Sequence, residues 1–173
     1  MLFRSLRNWP RLVQLAWVVA DEAGTEIESA EHIIRPEGFV IPPDAARVHG
    51  ISTEVALRDG IPLATALAAI APGIASASAL VAHNMSFDEK ILGAEFLRAG
   101  GANPVEAKPR RCTMQSATDY CRLPGRYGYK WPTLQELHAK LFDEPFAGAH
   151  RALADVRACA RCFFELRRLK VMA

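Results

Sequence analysis

Residues 77–88, Ala77-Ser78-Ala79-Leu80-Val81-Ala82-His83-Asn84-Met85-Ser86-Phe87-Asp88, decide how this chain is read. The short apolar run ending at Ala82 reads as a buried strand. From Met85 to Arg98 the pattern is helical, and Gly100-Gly101 stops it. The switch places His83, Asn84 and Asp88 at the carboxyl end of a strand, where open α/β sheets bind ligands. Asn84 and Asp88 are four residues apart and share one helix face. Asp88 also heads a row with Leu92 and Phe96 that points inward. A plainer role for the same residues is local. Ser86 and Glu89 have capping-box spacing, and Asp88 in a first turn favours the helix dipole.

A second string, His150-Arg151-Ala152-Leu153-Ala154-Asp155, opens the last helical pattern, which runs to Lys170. Its core stripe is Ala152, Val156, Cys159, Phe163 and Leu166, with Asp155 at the edge. A carboxylate in that position is costly unless a cation or metal partners it. His150, five residues earlier, cannot share a regular helix face with Asp155. It belongs to the loop after Ala147-Gly148-Ala149. A histidine able to swing over a metal-binding aspartate suits activation of a water. The alternative is a surface histidine beside an Asp paired to an Arg.

The remaining elements build outward from these two. Leu12 to Ala20 reads as a buried strand and Asp21 to Gly24 as a turn. Glu26 to Arg35 is the antiparallel partner, alternating at Ile27, Ala30, His32 and Ile34. Pro42 to His49 reads as a short helix and Leu63 to Ala75 as an alanine-rich one. Cys112 to Cys121 reads as a helix and Gly125 to Trp131 as a loop. Thr133 caps a helix to Phe142, with Glu136 completing a capping box. The order is ββ(α)αβαααα, an α/β arrangement with a small mixed sheet in a single domain spanning 1–173.

Composition narrows the classes. The chain has 173 residues, half of them apolar, with 23% charged and a net charge of +2. These values fit a globular domain, and no apolar run is long enough to span a membrane. Met1 to Ala20 has the outline of a signal peptide, but Pro10 and Gln14 interrupt it and it leads into a hairpin. Basic residues cluster locally, in 108–130 and again along 151–170. Such surfaces could contact a phosphate backbone or be solvated helix faces. Arg126-Tyr127-Gly128-Tyr129-Lys130-Trp131 interleaves aromatic and basic residues. It could stack on bases or anchor a loop. Cys159 and Cys162 form C-x-x-C inside a helical pattern, but Cys112 and Cys121 lie outside zinc-finger spacing, so the four read as reduced thiols, which suits a cytoplasmic location.

Taken together, the motifs resemble the DNA polymerase III epsilon-subunit-like 3′–5′ exonucleases, the DEDDh group of the ribonuclease H-like fold. His83-Asn84-x-x-x-Asp88 is similar to that family's second motif and His150-x-x-x-x-Asp155 to its third. Val48-His49-Gly50-Ile51, and Leu134-x-x-Leu137 with Leu141-Phe142, resemble its connecting segments. The resemblance runs from about Arg11 to about Leu169. It implies a mixed sheet flanked by helices on both faces and hydrolysis of the 3′-terminal phosphodiester of DNA or RNA by two Mg²⁺ or Mn²⁺ ions. It further implies that His150 is the general base, that Asp155 and Asp88 are metal ligands, and that His83, Asn84 and Phe87 lie near the terminal nucleotide. The implied partners are single-stranded 3′ ends and a DNA polymerase.

One family feature is absent from the sequence. The resemblance implies an Asp-x-Glu on a central first strand, and no Asp-x-Glu occurs in the 173 residues. The expectation is a domain that is N-terminally incomplete, with its first strand missing or much shortened, and with weak or no activity as written. Two aspartates would hold one hard cation weakly. The alternative is a degenerate module that binds nucleic acid without cutting it.

Overall fold

The computed structural model describes residues 9–146, 148 and 151–172. Leu12–Ala20 is expected to be a strand, and β1 spans Gln14–Ala20. It pairs antiparallel with β2 (Glu26–Ile33) around a turn in which Asp21 Oδ1 accepts from the N–H groups of Ala23 and Thr25. Leu15 and Trp17 turn inward, and the Trp17 indole donates to Glu28 at 3.1 Å. The expected apolar face of β2 is only partly present. Ile34 is buried, but Ile27, left unpaired at the register shift between Val19 and Ala20, is 67% exposed.

Two short helices follow, α1 (Pro43–His49) and α2 (Thr53–Asp59). The second is too short to carry a periodic signal and was not expected. The Ser52 hydroxyl caps it by accepting from Val55 N–H. A parallel bridge between Ile34 and Ile61 then leads into α3 (Leu63–Ser76), which buries Leu63, Ala66, Leu67, Ile70 and Ile74 against β1.

β3 (Leu80–Ala82) runs parallel to β4 (Arg110–Cys112), with α4 (Met85–Arg98) as the crossover. β4 corrects the helix read over Cys112–Cys121. Cys112 ends a strand, and only Thr113–Ser116 (α5) and Thr118–Cys121 (α6) are helical. The segment read as a loop contains a small hairpin, β5 (Pro124–Gly125) and β6 (Gly128–Tyr129). α7 (Leu134–Phe142) has the expected Thr133/Glu136 capping box. α8 (Ala152–Arg168) closes the fold.

Helices on a small mixed set of strands form the expected α/β architecture. Among the described residues, however, β1–β2 and β3–β4 are separate pairs rather than one continuous sheet. α8 packs on both pairs and joins them. Its buried residues are Ala158, Cys159, Cys162 and Leu166. The expected stripe is therefore rotated, with Val156 and Phe163 only half-buried.

A candidate nuclease site at the carboxyl ends of β3 and β4

The chain leaves β3 through Asn84, whose φ of 82° and ψ of 48° put it in the left-handed region. Asparagine tolerates this conformation better than most residues. The turn is closed by Asn84 C=O accepting from Phe87 N–H at 2.9 Å. The Ser86 hydroxyl donates to Asn84 Oδ1 at 3.1 Å. This replaces the expected Ser86/Glu89 capping box. Asn84 itself is the N-cap, and Glu89 instead pairs with Arg110 at 2.9 Å, fastening α4 to β4.

His83 is held from two sides. Nε2 lies 3.0 Å from the Pro132 carbonyl, which can only accept, so Nε2 carries the proton. Burial pushes the His83 pKa down, opposed by the Pro132 hydrogen bond, so the ring is neutral at pH 7. Nδ1 then accepts from the Thr113 hydroxyl at 2.9 Å. The Cys159 thiol lies 3.7 Å from that hydroxyl oxygen and completes the chain as a weak donor. A directed series, Cys159 to Thr113 to His83 to Pro132, therefore ties α8, the end of β4, the end of β3 and the start of α7. Thr113, fully buried, and Cys159 are the members that sequence reasoning missed. No spacing motif joins the two, because they meet only in the fold.

Asp88 stands one turn into α4. Its surface is open to solvent on one side, while the protein around it desolvates the carboxyl and pushes its pKa up to about 6. Its charge also raises the Cys159 thiol, so the carboxylate faces that part of α8. Asp155 is half-buried and lies one helical turn before Cys159, on the same face. Asp88 thus acts electrostatically on the turn of α8 that Asp155 begins. Phe87, beside Asp88, is 49% exposed. Glu31 of β2 caps the start of α8 by accepting from Leu153 N–H at 3.2 Å, a contact invisible in sequence. His150 lies outside the described residues.

The described residues include no group of three or more His, Cys, Asp or Glu side chains able to hold a metal ion. Two aspartates supply hard oxygen donors, enough for one Mg²⁺-like ion that keeps several waters or substrate phosphate oxygens, and too few for two. A recess of about 800 Å³ lies elsewhere, between Gly24 of the hairpin turn and Phe142 and Phe164. The arginines Arg157, Arg161 and Arg168 on its wall are ion-paired with Glu26, Glu144 and Glu165. The basic face of α8 is therefore largely internally neutralised.

The sequence profile of the exonuclease (RNase T) family matches residues 7–163. The chain belongs to that exonuclease family. No curated protein matches its sequence. Among solved structures it is similar to Exonuclease I from Methylocaldum szegediense, with 22% identity, a TM-score of 0.72, and coverage of 91% of this chain and 37% of that one. It is also similar to E. coli Exonuclease I in complex with a dT13 oligonucleotide, with 20% identity, a TM-score of 0.76, and coverage of 94% and 39%. These likenesses establish the ribonuclease H-like exonuclease fold. The chain spans less than two-fifths of the length of either. No helix among the described residues is long and apolar enough to cross a membrane.

Proposed function

We propose that this exonuclease-family domain acts on the 3′ end of single-stranded nucleic acid, in the manner of the DEDDh, epsilon-like group. What supports this reading is Asp88 one turn into α4 after the carboxyl end of β3, its charge felt at Cys159 one helical turn from Asp155, next to the exposed ring of Phe87. In this reading Asp88 and Asp155 are the metal-binding acids, and His150 takes the proton from the attacking water. Asn84 and Phe87 border the terminal nucleotide, while His83, with both ring nitrogens engaged, holds the frame. A divalent ion bound there would supply charge stabilisation at the phosphate and lower the pKa of water. Cytoplasmic location and association with a DNA polymerase belong to the same proposal.

With only two acids, the 173-residue chain is expected to cleave weakly or not at all. A second reading, drawn from the sequence having no Asp-x-Glu, is a module that binds ends without cutting. One experiment separates the two. A 5′-labelled single-stranded oligonucleotide is incubated with Mg²⁺ or Mn²⁺, and wild type is compared with His150→Ala and Asp155→Asn. Slow shortening from the 3′ end that both variants abolish supports the enzyme. Metal-independent retention of the oligonucleotide with no shortening supports the binding module. Shortening that neither variant changes overturns the assignment of the site.

A further inference from the structure

The hairpin that follows α6 carries three large rings outside the core. Tyr127 is 89% exposed, Tyr129 51% and Trp131 61%. Anchoring a loop onto the core would bury such rings, so that role does not explain them. Their backbone is nonetheless fixed. Lys130 N–H donates to Leu123 C=O at 2.9 Å, and Gly125 and Gly128 are paired across the turn. A side chain at Gly125 would lie 2.9 Å from the Gly128 carbonyl oxygen, so the two strands approach as closely as backbone allows. The far end is held by the Thr133/Glu136 capping box and by Lys130 pairing with Glu136. Apolar rings presented from a pinned hairpin are a recognition feature rather than a floppy tip.

Two further observations choose the occupant. Residues 122–131 contain Arg122, Arg126 and Lys130 and no acid, and the Arg126 guanidinium sits 5.1 Å from the centre of the Tyr127 ring. The hairpin is also continuous with the candidate site, because the carbonyl of Pro132, next to Trp131, accepts from His83. Basic charge interleaved with exposed aromatics is the composition that receives unpaired bases and their backbone. We propose that Tyr127, Tyr129 and Trp131 form a stacking platform for single-stranded nucleic acid, taking the nucleotides 5′ to the one at Asp88 and Asp155. This rests on the reading of those two aspartates as the seat of the 3′ end.

The test is binding in EDTA, so that no cleavage is required. Wild type is titrated with dT15, rU15 and dT3 while tryptophan emission is followed. Stacking is sequence-tolerant and weakens by about fivefold to a hundredfold per base when its ring is removed. The expected results are that a 15-mer quenches emission, that Trp131→Phe removes most of the quench, and that Tyr127→Ala with Trp131→Ala weakens 15-mer binding at least tenfold. The same double variant should leave dT3 binding within twofold and the melting midpoint unchanged, since the rings touch no core. Equal 15-mer affinity in wild type and double variant, as for a platform that takes a protein, overturns the proposal. So does failure of wild type to bind either 15-mer. Ring-dependent binding without Asp155-dependent cleavage would retire the nuclease reading and leave the platform standing. Asp155-dependent cleavage without ring dependence would do the reverse.

Discussion

Asp88 carries a testable signature in its own titration. Its carboxyl is pushed from an ordinary 3.8 up to about 6 by desolvation. A raised carboxyl pKa means that the native state prefers the protonated form. The native state therefore loses stability as pH rises from about 4 to about 6, and above that the loss is constant. Asp88→Asn should accordingly raise the urea midpoint at pH 7 and leave it nearly unchanged at pH 3.5. An equal effect at both pH values would show that Asp88 is not desolvated. A divalent cation binds the ionised form, so Mn²⁺ affinity should fall about tenfold per unit as pH drops below about 6. Titration calorimetry at pH 5, 6 and 7 checks this, and Asp88→Asn should abolish the dependence. The residues of this site were legible in sequence to the extent that they are local. Asp88, Asn84 and Asp155 announce themselves by position relative to a strand end or an apolar stripe. Cys159 shows itself only as a position of the apolar stripe and Thr113 not at all, because their link spans 46 residues and exists only once β4 and α8 have packed. The burial of Glu95 was equally hidden. Its carboxylate accepts from Arg11 and Leu12 N–H at 3.0 and 2.9 Å and lies 3.1 Å from Arg98, among residues that individually read as surface charge.

Elements followed the same division between local and non-local signals. The hairpin, α3, α4, α7 and α8 were readable because each combines a periodic apolar pattern with a turn, cap or stop. Thr133 and Glu136 form the very bonds their spacing predicts. α2, β4 and the β5–β6 hairpin were missed or misread because elements of two to seven residues contain too few positions to show a period. What defines α2 is its ending rather than its pattern. A Cβ at Gly60 would stand 2.3 Å from the Ala56 carbonyl oxygen and 2.7 Å from Arg35 N. Both are backbone atoms and cannot swing away. Gly60→Ala should therefore cost about 1–3 kcal/mol, as overpacking does. The loss should be visible as a lower denaturant midpoint with an unchanged slope. Hydrogen exchange should show where it falls, because Ile61 N–H donates to Ile33 C=O and Arg35 N–H to Ile61 C=O right beside the clash. α7 offers a second measurement. His138 is buried, with Nδ1 2.9 Å from Glu144 C=O and Nε2 3.2 Å from Arg161. Its ring also packs on Phe142 and Phe146. His138→Ala removes a ring of core size and its polar partners together, and should cost about 3 kcal/mol. A cost under ~0.5 kcal/mol would show that the turn after α7 is held without it.

At the scale of the molecule, α8 is the piece on which the two strand pairs depend. It touches β1, β2, β3, α5 and α7. Among the described residues no ladder joins β1 to β3, so the continuity that a single sheet would provide comes from this helix together with the packing of Leu80, Leu92 and Phe96 on the core around Leu15 and Trp17. Its cysteines make the dependence measurable. Cys159 and Cys162 are buried, and burial pushes both thiols up to about 12 from an ordinary 9.0. At pH 8 such groups are almost wholly protonated as well as inaccessible, and the thiolate is the reactive form. Neither can be alkylated until α8 leaves its bed. Cys112, at the end of β4, is only half-buried. In the native protein a thiol reagent should therefore modify Cys112 first. Cys159 and Cys162 should follow much later and at equal rates, each rate tracking the population of unfolded molecules. Mass spectrometry of pulse-labelled protein in rising sub-denaturing urea checks this. If α8 unites the two pairs, the labelling free energies of Cys159 and Cys162 should fall in parallel, with the slope of global unfolding. Faster labelling of Cys159 with a shallower slope would mean that the first half of α8 opens alone. Asp155 would then be detached from Asp88 while the rest of the fold stays closed, and the candidate site would exist only part of the time.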